Sequence, residues 1–316
     1  MLFRSWAQVY GGIVPEITSL TNPETGRVHR FIATAPGAVA HLARNPRLRR
    51  ASAISHLAVA AGLSALENAG IAMTPEVTAR TAVVFAICDG GVLYTRRFYE
   101  QIAKQGANAA SPLLFPETVY NAPASHLAAL LGIDGASYTL VGDASVGMSA
   151  LHFASELLET SDVEQVVVVG AEECDWILCE AYAAWRLART PLAEGATALV
   201  LRREGRWNLQ THPGAPFARQ RNADVALASV LADFAGEKVE RVIASANGTF
   251  IDRAETAALT AHFPNAPTFS LKNSFGECPG ASALQQVVAA ALTGTRTLAT
   301  VIGANHQAGA ALIHPA

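Results

Sequence analysis

Residues 137–158 read SYTLVGDASVGMSALHFASELL. The run opens on β-branched and aromatic residues, breaks at Gly142 and Asp143, and continues with apolar residues at helical spacing. A strand thus runs through a sharp turn into a helix. Such a turn presents one side chain at a helix N-terminus, where backbone N–H groups and the helix dipole favour an anion. A Cys at that point would have a lowered pKa and act as a nucleophile. In α/β proteins the working residues sit where strands end, so this turn is the first place to look for chemistry.

Working outward, the same alternation recurs on both sides. Residues 50–70 carry apolar positions at helical spacing and stop at Gly70. Strands are expected at 81–87, 165–170 and 196–202, and a further helix at 96–106. The second half repeats the alternation: helix 223–235, strand 241–246, helix 253–263, extended 267–271, helix 280–293, then strands at 297–302 and 309–314. Strands alternating with helices imply βαβ units and sheets covered on both faces. The polar, Pro- and Gly-containing stretch 203–222 reads as the joint between two halves, 1–204 and 205–316.

Composition narrows the function. The 316 residues are 51% hydrophobic and 16% charged, which rules out disorder. The net charge of −3 and the lack of a basic run argue against nucleic acid. No run of about 18 uncharged apolar residues is present to cross a membrane. The opening segment 1–16 lacks the apolar core of a secretion signal. Cys88, Cys174, Cys179 and Cys278 have neither disulfide-framework nor zinc-like spacing, which suits a reduced cytoplasm. An apolar, weakly charged chain also has surface to bury against another subunit.

Two more strand–turn–helix segments stand beside the first: ASANGTFIDRAET (244–256) and FSLKNSFGECPGASALQQVVAAAL (269–292). With NAPASHLAALLGIDG (121–135), VVVVGAEE (166–173) and AEGATALVLRRE (193–204), they form an ordered set of six. The set resembles the β-ketoacyl synthases of the thiolase superfamily from about residue 49 to the end. The match is weaker over residues 1–48. The resemblance implies an α/β thiolase-like fold, a duplicated αβαβα five-layered sandwich that is normally dimeric. It also implies a Cys nucleophile on the first turn and a His on each of the other two. In that family the Cys takes an acyl chain from a carrier thioester, and the His pair supports decarboxylation of a malonyl unit and condensation.

The residues depart from the family at each reacting position. Laid without gaps, the first pattern matches Gly135, Thr139, Ser145, Gly147, Ala150 and Leu151, and puts the nucleophile position on Ala144. A one-residue slip would place Asp143 or Ser145 there and break the downstream matches. The second pattern matches Ala246, Gly248, Thr249, Asp252 and Glu255, with Asn247 in place of His and a loop three residues shorter. The third matches Ser270, Lys272 and Gly276, with Glu277 in place of the second His. A carboxylate there would repel a malonyl carboxylate unless protonated or paired. The family's C-terminal Gly-Phe-Gly-Gly turn is replaced by Asn305, His306 and Gln307. Lys272 and Glu255 match positions that make structural ion pairs in the family.

The resemblance therefore implies a non-catalytic, chain-length-factor-like subunit that pairs with an active ketosynthase in a type II fatty-acid, polyketide or aryl-polyene-like pathway. It implies no cofactor of its own, since phosphopantetheine would be carried by the acyl carrier protein, a further partner. Two alternatives stand. One is an enzyme with a rebuilt site, a malonyl decarboxylase or thioester hydrolase using Glu277, Asn247 and Asp143. The other is a non-enzymatic, acyl-binding homodimer. Asp143, Asn247, Glu277, Asn305 and His306 are expected to converge on one pocket. Cys278, beside a helix start, reads as a small buried hydrophobe, with a relocated nucleophile as the alternative. His126 and His152 read as structural histidines, Cys174 and Cys179 as poor metal ligands, and Trp176 and Trp185 as core.

Overall fold

The computed structural model describes residues 17–35 and 37–316. The opening segment 1–16, read above as lacking a secretion signal, lies outside the described residues. The N-terminal hairpin is β1 (Ile17–Thr21) and β2 (Val28–Ile32), and helix α1 covers Ala53–Ala69. Next come α2 (Pro75–Ala79), β3 (Thr81–Ile87), α3 (Val92–Gln105), α4 (Ala122–Leu131) and β4 (Ser137–Val141). Helix α5 is Val146–Thr160, followed by β5 (Gln165–Glu172), α6 (Trp176–Trp185), β6 (Leu192–Ala193) and β7 (Gly195–Arg202).

The rest of the chain forms β8 (Trp207–Thr211), β9 (Ala215–Pro216), α7 (Ala223–Ala232), β10 (Arg241–Ala244) and α8 (Phe250–His262). It closes with β11 (Thr268–Ser270), α9 (Lys272–Phe275), α10 (Pro279–Leu292), β12 (Thr297–Ile302) and β13 (Gln307–Pro315). The strands and helices expected from the sequence are present, most within three residues of their expected ends. Gly70 ends α1 with φ +66°, as its position suggests.

Two sheets show the same build. In the first, β4-β3-β5-β7, the first three strands run parallel and β7 antiparallel. In the second, β11-β10-β12-β13-β8, the order and directions repeat, with β8 added beyond β13. Helices α5 and α10 pack on each other between the sheets, α1 and α4 cover the first sheet, and α7 and α8 the second. The result is the five-layered αβαβα sandwich expected from the resemblance.

Period-two alternation explains how β3 serves two layers. Ala82, Val84 and Ala86 face the middle helices, whereas Val83, Phe85 and Ile87 face α1 and α4. All seven residues of β3 are buried. Each large side chain buried this way contributes on the order of 1.5–3 kcal/mol. Small residues let the middle layer approach closely. A Cβ on Gly280, at the start of α10, would lie 2.7 Å from both the Ala171 carbonyl and a Glu172 carboxylate oxygen.

The stretch 203–222 is more than a joint. It contributes β8 and β9, both paired with β13. The signal was the inward alternation of Leu209 and Thr211, masked by the polar residues between them. Trp185 also differs from expectation: it is 73% exposed at the last position of α6. Trp176 is half-buried. The histidines have partners as expected. His126 Nε2 lies 2.6 Å from Glu117 and His152 Nδ1 lies 3.1 Å from the Thr211 hydroxyl.

Candidate functional site

The first turn is built around Asp143, which is buried at the end of β4. Its Oδ1 accepts from the Ser145 backbone N–H at 2.9 Å and from the Ser145 hydroxyl at 2.7 Å. Its Oδ2 accepts from the Asn305 backbone N–H. A Cβ at position 303 would collide with this carboxylate, so Gly303 is required for the β12–β13 turn to approach it. Ala144 stands between them, buried, with its methyl in the core between the two sheets. A cleft of about 360 Å³ opens beside the turn, bounded by Leu140, Val141, Asp143, Ser145, Ser149, Asn305 and Gln307 among others.

The second and third turns meet each other. Asn247 Nδ2 donates to Glu277 Oε2 at 2.9 Å and to the Leu187 carbonyl at 3.0 Å. Lys272 Nζ donates to the same Glu277 oxygen at 2.8 Å. Ser282 Oγ lies 3.4 Å from the other. The Glu277 backbone is pinned too: its N–H donates to the Pro191 carbonyl and its C=O accepts from the Ala193 N–H, both at 2.8 Å. Asn247, Lys272 and Glu277 are all buried. The ion pair neutralises the Glu277 charge within the buried network.

The expected convergence of five polar residues needs correction. The five polar residues do not form one hydrogen-bonded set. Asp143 joins Ser145 and Asn305, while Glu277 joins Asn247 and Lys272, and no hydrogen bond links the two groups among the described residues. His306 leaves both groups and stacks against Phe217, ring centroids 5.1 Å apart, from a backbone with φ +74°. Lys272 pairs with Glu277, which stands just before α10, five residues away. Glu255 instead accepts from the Ser245 N–H and hydroxyl and the Thr300 hydroxyl. Cys278 is the small buried residue read from the sequence: it is turned inward and fully buried, with Sγ 3.9 Å from the Gly195 carbonyl. Burial pushes its thiol well above the ordinary range, which leaves no thiolate for a relocated nucleophile.

Sequence reasoning missed a group at the ends of β3 and β5. Cys88, Asp89 and the fully buried Glu172 lie close together, with the Tyr182 hydroxyl 3.4 Å from Asp89. Burial, then mutual repulsion with Asp89, raises the Glu172 carboxyl well above the usual carboxylate range. Its signal was the GAEE run, quoted above only for its fold. The neighbouring Glu173 accepts from the N–H of Ile54 at 3.1 Å and of Leu93 at 2.8 Å. It thereby caps α1 and α3 together. Burial raises its carboxyl to about 7.

Comparison with known proteins identifies the family of the chain. The family model for the β-ketoacyl synthase N-terminal domain matches residues 25–204, more than half of the chain. The chain belongs to the β-ketoacyl synthase family. A 3-oxoacyl-[acyl-carrier-protein] synthase 2 of Vibrio harveyi is 27% identical over 115 residues, 36% of this chain and 28% of that protein. The aligned part is thus under a third of that relative's length.

Solved structures of the family superpose over nearly the whole chain. The ishigamide ketosynthase/chain length factor has a TM-score of 0.78 at 16% identity, covering 98% of this chain and 94% of its own. A ketosynthase (ApeO) in complex with its chain length factor (ApeC) from Xenorhabdus doucetiae has a TM-score of 0.72 at 16% identity, covering 98% and 92%. At these identities the likeness is one of fold.

Proposed function

We propose that this chain is a non-catalytic, chain-length-factor-like subunit that pairs with an active β-ketoacyl synthase acting on carrier-bound acyl chains. The observation that carries the reading is the alteration of all three turns. Ala144, at the position aligned with the nucleophile, offers only a methyl group. Glu277 and Asn247, at the positions aligned with the His pair, are tied to Lys272 in a buried network. A carboxylate whose lone pairs are engaged by an ammonium and an amide is a structural element. The structural likeness to a ketosynthase/chain length factor supports the same reading.

On this reading the chain divides near 204/205 into its two halves and holds no cofactor, the phosphopantetheine arm belonging to the carrier protein. No helix among the described residues is long and apolar enough to cross a membrane. The test is co-expression with a ketosynthase that has an intact Cys–His–His set, followed by native mass measurement. A heterodimer that condenses malonyl and acyl carrier thioesters, beside a chain inert alone, is the expected result. A homodimer that condenses by itself would refute the proposal, and an inert homodimer that binds acyl chains would favour the acyl-binding alternative.

One observation favours a second reading. The Ser145 hydroxyl hydrogen-bonds the Asp143 carboxylate at the wall of the cleft, an arrangement able to take up a proton from a hydroxyl. On that reading the chain hydrolyses an acyl thioester, with the cleft as acyl site. Turnover abolished by Asp143→Ala and by Ser145→Ala would establish it.

A further inference from the structure

Two cysteines that the proposed function does not use lie side by side beneath the N-terminal hairpin. Cys174 follows the end of β5, and Cys179 stands in the first turn of α6. Their sulfurs are 3.7 Å apart. The residues are 5% and 7% exposed and pack with Phe31 and Leu192. Neither belongs to a set of three metal-ligating groups among the described residues. A disulfide requires about 2.05 Å between sulfurs, so side-chain rotation must close the gap by roughly 1.7 Å.

We propose that Cys174 and Cys179 form a redox-active dithiol, a modification site that a small hydroperoxide closes to a disulfide. The hydrogen bond between the sulfurs divides the roles. Hydrogen bonding from Cys174 lowers the Cys179 thiol, whereas the Cys174 thiol is raised. The Cys179 thiolate attacks one oxygen of hydrogen peroxide, the O–O bond breaks, and hydroxide leaves to give a sulfenic acid. Cys174 then attacks that sulfur. The S–O bond breaks, the Cys174 proton leaves with the hydroxyl group as water, and the S–S bond forms. In sum two thiols and one peroxide give one disulfide and two waters.

The new bond would tie the first turn of α6 to the end of β5. That helix carries Glu180, which holds Asn22 and Arg27 of the hairpin, each at 3.1 Å. It also carries Tyr182, whose hydroxyl contacts Asp89 and Cys88. Neither Cys88 nor Cys278 has a second sulfur within hydrogen-bond distance among the described residues, so neither is placed to close a disulfide as this pair is.

The test titrates hydrogen peroxide into the full-length chain, blocks remaining thiols with N-ethylmaleimide, and cleaves after glutamate. The peptide 174–180 carries both sulfurs. It is expected to become unalkylated and two hydrogens lighter, at a peroxide dose several-fold below that oxidising Cys88 or Cys278, and to recover with dithiothreitol. In Cys174→Ser, which keeps the core volume, Cys179 is expected to accumulate as a sulfenic acid trapped by a cyclic 1,3-diketone. Free alkylation of both cysteines when Cys88 or Cys278 is already oxidised would overturn the proposal. So would sulfonic acid at Cys179 of the unmutated chain with no cross-link.

Discussion

At the scale of single residues, the energetics of the Lys272–Glu277 pair follow from its burial. Removing one partner of a buried ion pair costs about 3–5 kcal/mol, because the other charge is left in a low-dielectric interior. Lys272→Met and Glu277→Gln should each lower the denaturant midpoint by a corresponding amount. Lys272→Met combined with Glu277→Leu should recover most of that loss, since no charge is then stranded. A loss in the double variant equal to the sum of the two single losses would show that the pair does not couple. The sequence made Glu277 visible as a departure from a His pattern. It could not reveal the partner, because the resemblance implied only that Lys272 stands at an ion-pairing position. Likewise Asp143 and Asn305, 162 positions apart, meet only because β4 and the β12–β13 turn are brought together by the stacking of two sheets.

At the scale of elements, close approach and capping decide the stability. Gly280→Ala places a methyl against the Ala171 carbonyl and should push α10 away from β5, lowering stability by about 1–3 kcal/mol in urea unfolding. Glu173 gives a pH dependence with a definite sign. Its carboxyl is raised in the folded protein to about 7 from an ordinary 4.5, through burial. The folded state therefore binds the proton more tightly than the unfolded chain. The stability it contributes is full below about pH 4.5 and lost as pH rises through about 7, on the order of 3 kcal/mol in total. Glu255, also raised by burial to about 7, adds a slope of the same sign. Glu173→Gln should flatten the fall in stability between pH 5 and 8, leaving the Glu255 share, and an unchanged slope would contradict the assignment. The elements themselves were legible in sequence because their period is local. The strand at 207–211 was not, since its partner lies at the C-terminus of the chain.

At the scale of the whole molecule, the apolar excess in the composition finds one place at the open edge of the first sheet. Among the described residues strand β4 pairs only with β3, and its Tyr138 and Val141 are 40% and 55% exposed. An apolar edge strand left open is a template for pairing with another chain. Val141→Lys should leave the circular dichroism spectrum unchanged and abolish the proposed subunit pairing in native mass spectra. Retained pairing would move the interface elsewhere. Composition predicts a surface to bury, but which surface depends on strand order, and that is set by contacts distant in sequence. The central claim, that the chain keeps the family's scaffold without its nucleophile, is tested most directly by intact mass measurement after incubation with an acyl-carrier thioester and an active ketosynthase. The expected result is an acyl adduct on the partner's mass alone. An acyl adduct on this chain, lost in Ser145→Ala or in Cys278→Ser, would contradict it.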